Sequence, residues 1–213
     1  MEYLLKVSAV VAIFYLCYKL FLQRNTFFDE SRWFLLMGLA TAFIIPLWVI
    51  PIYIEYTPAI TSEYISSDVV VLNETIDTIA TPFSILDYLP IIYTLGVLFF
   101  LVKFLMQLSS LIVVIFKNKK EKNGRFTFIE TAKNSSPFSF FNWIIFNPNN
   151  FTKSELEHVM IHEKVHASQL HSIDVLLTQI SCIVLWFNPF MWLYRKDVQQ
   201  NLEFIADKKT QEK

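Results

Sequence analysis

The sequence predicts a membrane α-helical region of three spans followed by a small α+β unit, and three observations carry that prediction. Of the 213 residues 54% are hydrophobic and 16% aromatic, with a mean hydropathy of +0.42, beyond the range of an ordinary soluble domain. Within residues 1–116 lie three apolar runs, each long enough to cross a bilayer core, which takes about 20 helical residues. After a basic stretch at 117–124 the pattern changes to strand-like alternation, then to an amphipathic helix that holds all 4 histidines.

The first span is read at 3–22. It ends in Leu16-Cys17-Tyr18-Lys19-Leu20-Phe21-Leu22, with no small-residue cleavage site, so it is a retained span rather than a signal peptide. The second is read at 33–54, with Pro46 and Pro51 kinking or ending it. The third, 89–116, is about 40 Å long if wholly helical and must tilt or protrude. Lys103 and Gln107 interrupt it one turn apart, as a polar contact to the following unit or between spans, or with Lys103 snorkelling to the interface, the reading preferred here. Cys17 and Cys182 both sit in apolar runs and offer neither a disulfide framework nor a thiolate metal site.

Loop charges orient these spans. Arg24 and Arg32 follow the first, and Lys117, Lys119, Lys120, Lys122 and Arg125 follow the third. Residues 55–88 carry Glu55, Glu63, Asp68, Glu74, Asp77 and Asp87 without a Lys or Arg, and include one strand-like run, Asp68 to Leu72. The positive-inside rule then places the N-terminus and the acidic loop 55–88 outside the cytoplasmic membrane, and everything from 117 onward in the cytoplasm.

Residues 117–124 read as a basic linker and 125–213 as a separate unit. Arg125 to Thr131 alternates as a strand, and Ser136 to Pro148 reads as a second strand or a hairpin closed by Asn-Pro and Asn-Asn turn signals. Thr152 and Glu155 make a capping box that starts a helix. Leu156, Val159, Met160 and Val165 give it an apolar stripe.

That helix carries His162-Glu163-Lys164-Val165-His166, an H-E-x-x-H motif. Side chains four apart share a face, so His162 and His166 can turn two imidazoles towards one ion. Glu163 lies about 100° round from His162, where it can reach a water on the metal without ligating it. This is the arrangement of a zinc hydrolase, with Zn²⁺ acidifying a water and a carboxylate taking the proton. Two strands ahead of such a helix fit a zincin-type unit, in which an edge strand can bind substrate backbone. A metzincin would continue with Gly and His where this chain has Gln169 and Ser172, and neither His158 nor His171 is read as a ligand.

A third ligand is sought downstream, where Glu203 and Asp207 share a helix face. One carboxylate can serve the metal and the other can accept from a ligand histidine. The intervening run 173–194 is long enough for a fourth span. Asn188-Pro189 breaks it, Arg195 and Lys196 follow, and Asp174 and Gln179 dilute its first half. We therefore expect helices at 173–187 and 190–207, folded as a hairpin on the catalytic helix and the membrane surface, returning Glu203 to the zinc.

Taken together, Ser136-Pro-Phe-Ser-Phe140, His162-Glu-Lys-Val-His166, Trp186-Phe-Asn-Pro-Phe-Met-Trp192 and Glu203-x-x-x-Asp207 resemble, in this order, the BlaR/MecR-type membrane metallopeptidases, the antirepressor family. The resemblance implies a gluzincin-like domain with His162, His166 and Glu203 as zinc ligands and Glu163 as general base. It also implies signal transduction by cleavage of a protein, the chain itself or a repressor. No Ser-x-x-Lys motif is present, so the expectation is the protease portion without the penicillin-binding sensor. Expected partners are membrane lipid and a protein substrate, with room for a homodimer and no direct nucleic-acid contact. The competing readings are a membrane sensor or scaffold with a structural or vestigial zinc site, and a protease with its site inside the bilayer. Glu163 argues against the first, since a structural site closes with four protein ligands. The polar helix entry at Asn149 to Lys153 argues against the second.

Overall fold

The computed structural model describes residues 2–48, 85–132 and 136–212. It is mostly helical, with one small four-stranded sheet. Helix α1 (Glu2–Cys17) runs on through a π-helical turn, Tyr18–Leu22. Helix α2 (Phe28–Ile44) closes in a 3-10 turn, Ile45–Leu47, where Pro46 has no N–H to give. Helix α3 is Leu89–Lys117. All three are long and apolar enough to cross a membrane.

The second span thus begins at Phe28, more than a turn before the expected residue 33. Hydropathy alone placed Asp29 and Glu30 outside it. As first-turn residues they suit the positive end of the helix dipole instead. Residues 49–54 of the expected span and 55–84 of the acidic loop, with its strand-like run at Asp68 to Leu72, lie outside the described residues. Lys103 and Gln107 are both exposed on α3, which favours snorkelling over a contact to the following unit.

Beyond α3 the sheet has strand order β1-β2-β4-β3. Strand β1 (Lys120–Asn123) falls in the stretch read as a linker. It pairs antiparallel with β2 (Phe126–Glu130). Gly124, at φ 61°, takes the first central position of the two-residue turn Gly124-Arg125, where the backbone needs a positive φ. Fully exposed and charged, β1 behaves as a protected edge. Strand β3 (Phe138–Phe140) folds back on β4 (Trp143–Phe146), which runs parallel to β2. The stretch 136–148 is therefore the hairpin alternative, with β3 at the other edge. Ile115 of α3 packs on Ile129 and Ile145, joining the third span to the sheet.

Helix α4 is Lys153–Ser168, α5 His171–Val184 and α6 Pro189–Gln211. The break between α5 and α6 falls at Asn188-Pro189, where the Asn188 side chain accepts from the Phe190 N–H at 2.9 Å. The hairpin meets α4, as expected, but it does not simply lie across the ends of the spans. Its tip is packed alongside them. Cys182, Met191 and Tyr194 share one buried core with Val11, Tyr15, Leu35 and Leu39 of α1 and α2. At the tip, Trp186 Nε1 donates to the Tyr93 carbonyl at 3.3 Å and the Tyr93 hydroxyl donates to the Val184 carbonyl at 3.0 Å. The first six residues of α6, Pro189 to Tyr194, are all apolar or aromatic, so this end gains more by burial among helices than by lying at their ends.

Polar ties fix the hairpin further down. Lys19 of the π turn meets Asp197 at 3.0 Å, and Asn201 Nδ2 donates to the Phe28 carbonyl at 2.9 Å. These contacts set α6 at the end of α1 and the start of α2. Its remaining turns then carry on past α4.

Candidate metal centre

Helix α4 opens on the expected capping box. Glu155 N–H donates to Thr152 Oγ1, and Thr152 N–H donates to Glu155 Oε2 at 2.8 Å. From this fixed start His162 and His166 fall one turn apart, with ring centroids 4.8 Å and Nε2 atoms 3.0 Å from each other. Helix α6 brings Glu203 to the same point. Its Oε2 lies 3.4 Å from His162 Nε2 and 3.7 Å from His166 Nε2. Donors about 2.05 Å from a tetrahedral cation stand about 3.3 Å apart, so one ion fits among these three. Their donor atoms all lie within 4.8 Å of one another, making them a group able to hold a metal ion.

Asp207, one turn further along α6, places Oδ1 3.1 Å from His162 Nδ1, on the side of the ring away from Glu203. Glu163 is buried, at 8% exposure, and its carboxylate is hydrogen-bonded by the Ser139 side chain of β3. Burial raises its pKa above the usual carboxyl value, opposed by the nearby His166 and by the Ser139 hydrogen bond. A raised carboxyl is a better proton acceptor. The hydrogen bond from His162, with the His166 ring 3.7 Å away, holds the Glu203 carboxyl well below its normal range. The hydrogen bond to Glu203 in turn raises His162, against the cost of burial.

His158 is exposed on the far part of α4. His171, set aside as a ligand from the sequence, is buried behind His166, with the two Nδ1 atoms 2.8 Å apart. Burial, then the neighbouring His166 and Arg32, push its pKa down to about 3, so it is neutral. A cavity of about 440 Å³ opens over the group, walled on one side by Pro137 to Phe140 and on the other by α4, α5 and α6.

No family model matches the chain. The chain is similar to the regulatory protein BlaR1 of Staphylococcus aureus. Identity is 23% over 99 residues, covering 45% of this chain and 17% of that protein. The likeness is a distant one, and it spans less than a fifth of the relative's length.

Three residues at this centre were not legible from spacing. His171 approaches His166 only because Leu170, at φ 55°, turns the chain between α4 and α5. Ser139 reaches Glu163 across the β3 edge, and Arg32, counted as a loop charge, lies inside α2 and bonds to Gln169 and Asp174. No periodic signal announces a contact between elements so far apart in the chain.

Proposed function

We propose that the chain is an integral-membrane zinc endopeptidase, gluzincin-like in its C-terminal unit, that cleaves a protein in signal transduction. The observation that carries this reading is the convergence of His162, His166 and Glu203 on one point, with Glu163 beside them, buried and outside the donor set. His162, His166 and Glu203 would hold Zn²⁺. When bound, the ion supplies Lewis acidity that brings the pKa of a water towards neutrality. Glu163 takes the proton from the attacking water and delivers it to the amine nitrogen that leaves. Asp207 accepts from His162 Nδ1–H and keeps the opposite ring nitrogen turned to the centre. Strand β3 is an edge that borders the cavity, placed to align an extended peptide by backbone pairing.

The substrate class is protein, either the chain itself or a cytoplasmic regulator. The resemblance to the antirepressor family and the likeness to a regulatory protein support this. The basic residues around the first turn of α2 and after α3 support a cytoplasmic position for the catalytic unit, with the N-terminus outside. The partly exposed Ile173, Leu177 and Ile180 continue the apolar surface of the spans along α5, and we place the hairpin tip in lipid.

Glu163→Gln tests the reading in the full chain in detergent micelles, with zinc content and cleavage of fluorescent casein and of the chain itself measured together. Parent and variant should each retain one zinc, with cleavage reduced about 10²–10⁴-fold in the variant. Loss of zinc from Glu163→Gln would make Glu163 a ligand. A zinc-loaded parent that cuts neither casein nor itself would favour the structural-site alternative.

A further inference from the structure

We propose that Arg32, in the membrane helix α2, is a positioning residue for the metal centre, setting the proton on His166 through Gln169 and His171. The inference rests on the metal-centre reading above and adds to it a residue that lies outside the catalytic unit in sequence.

Donor and acceptor capacity alone decides where each proton sits. Arg32 Nη1 lies 3.1 Å from the Gln169 side-chain oxygen, Nη2 lies 3.0 Å from the Gln169 carbonyl, and Nε lies 2.6 Å from Asp174 Oδ2. A guanidinium can only donate, so the Gln169 amide must present its oxygen here. That same oxygen is 3.1 Å from His171 Nε2, which must therefore carry a proton and donate. A neutral imidazole with Nε2–H has its lone pair on Nδ1. His171 Nδ1 is 2.8 Å from His166 Nδ1, so His166 is the donor there. The remaining nitrogen of His166, Nε2, is left with the lone pair. It is the atom that faces His162 and Glu203.

Each assignment forces the next, and the last is what a metal requires of this ligand. The network is sheltered from water, with His171 2% and Asp174 3% exposed. Asp174 holds the guanidinium in place through its Nε, leaving the two terminal nitrogens for Gln169. Lysine could not do this, because one ammonium cannot meet Asp174 and both oxygens of Gln169 in a fixed plane. The chain of contacts joins α2 to α4 and α5, so the tautomer of a metal ligand depends on where a membrane helix stands.

The test uses the full chain in detergent micelles, labelled with ¹⁵N in its histidine rings. Long-range proton–nitrogen correlations of the metal-free protein report which ring nitrogen carries hydrogen. Zinc affinity is measured separately by competition with a chelating dye. In the parent, His166 should be protonated on Nδ1 and His171 on Nε2. Gln169→Leu should give His166 a population protonated on Nε2 and weaken zinc about 10–100-fold, the usual cost of losing an outer partner of a ligand. Gln169→Glu retains an acceptor for both Arg32 and His171 and should restore the parent pattern. Arg32→Lys, which keeps the charge opposite Asp174, should shift the tautomers as Gln169→Leu does and decides the matter if the latter does not fold.

Unchanged tautomers and zinc affinity within twofold in Gln169→Leu or Arg32→Lys would overturn the proposal. Equal losses in Gln169→Leu and Gln169→Glu would also overturn it, since a packing role is blind to the acceptor. A parent that binds no zinc would instead remove the metal-centre reading, and the metal-free spectra would still decide whether Arg32 sets the proton.

Discussion

At the scale of single residues, Glu203 and Asp207 sit on the same helix with the same exposure yet meet different atoms of His162, Nε2 and Nδ1 respectively. Their replacements should therefore differ in kind. Glu203→Ala removes one of three donors and should abolish stoichiometric zinc. Asp207→Asn should weaken zinc about 10–100-fold while leaving one ion per chain at saturation. Equal losses from the two changes, read by chelator competition, would contradict these separate roles. A pH dependence follows as well. His162 is held above its ordinary value of 6.5, first by Glu203 and with help from the charges of Glu163 and Asp207. A proton on His162 must leave before a cation binds, whereas Glu203 stays ionised. Zinc affinity should thus be constant at high pH and fall about tenfold per unit below the raised His162 value. Asp207→Asn should move that midpoint down, because it removes a charge that favours the proton. A midpoint below 6.5 in the parent would contradict the arrangement.

At the scale of elements, the α5–α6 hairpin depends on close approach to α3. A Cβ at Gly96 would stand 2.2 Å from Trp186 Cε2 and 2.4 Å from Cζ2, closer than packed atoms allow. Phe100 stacks on the same indole, at 6.2 Å and 27° between planes. Gly96→Ala should push the tip off α3 and strain both Tyr93 hydrogen bonds, costing about 1–3 kcal/mol by overpacking. A lower thermal midpoint and a shift in tryptophan emission should report it, and an unchanged midpoint would refute this contact. Zinc affinity should be nearly untouched, because Glu203 lies about 20 Å along α6 from its first residue.

At the scale of the whole molecule, the membrane topology and the chemistry depend on each other. Helix α6 returns past α4, so residues 120 and 211 are expected on one side of the membrane. With Cys17 and Cys182 replaced, Lys120→Cys and Gln211→Cys should label from the same face of intact cells, and Ser62→Cys from the opposite one. Opposite labelling of 120 and 211 would separate Glu203 from His162 and dissolve the centre. The chain's apolar surface is concentrated on α1, α2, α3 and the hairpin tip, whereas the metal group lies where α4 passes the lower turns of α6. That places the cavity at the boundary between the spans and the sheet-bearing unit.

The sequence by itself determined the local features. Three spans, the capping box at Thr152, the shared face of His162 and His166, the break at Asn188-Pro189 and the pairing of Glu203 with Asp207 along one helix are all consequences of short-range geometry. What only the tertiary structure decided are the contacts between distant elements. It brought Glu203 from α6 to the histidines of α4, sank the hairpin tip between α1, α2 and α3, and carried Arg32 from an apparent loop to Gln169 and Asp174. Helical periodicity fixes which side chains share a face, but it holds no information on which face meets it. That choice is made by burial and by the pairing of buried polar groups across the whole chain.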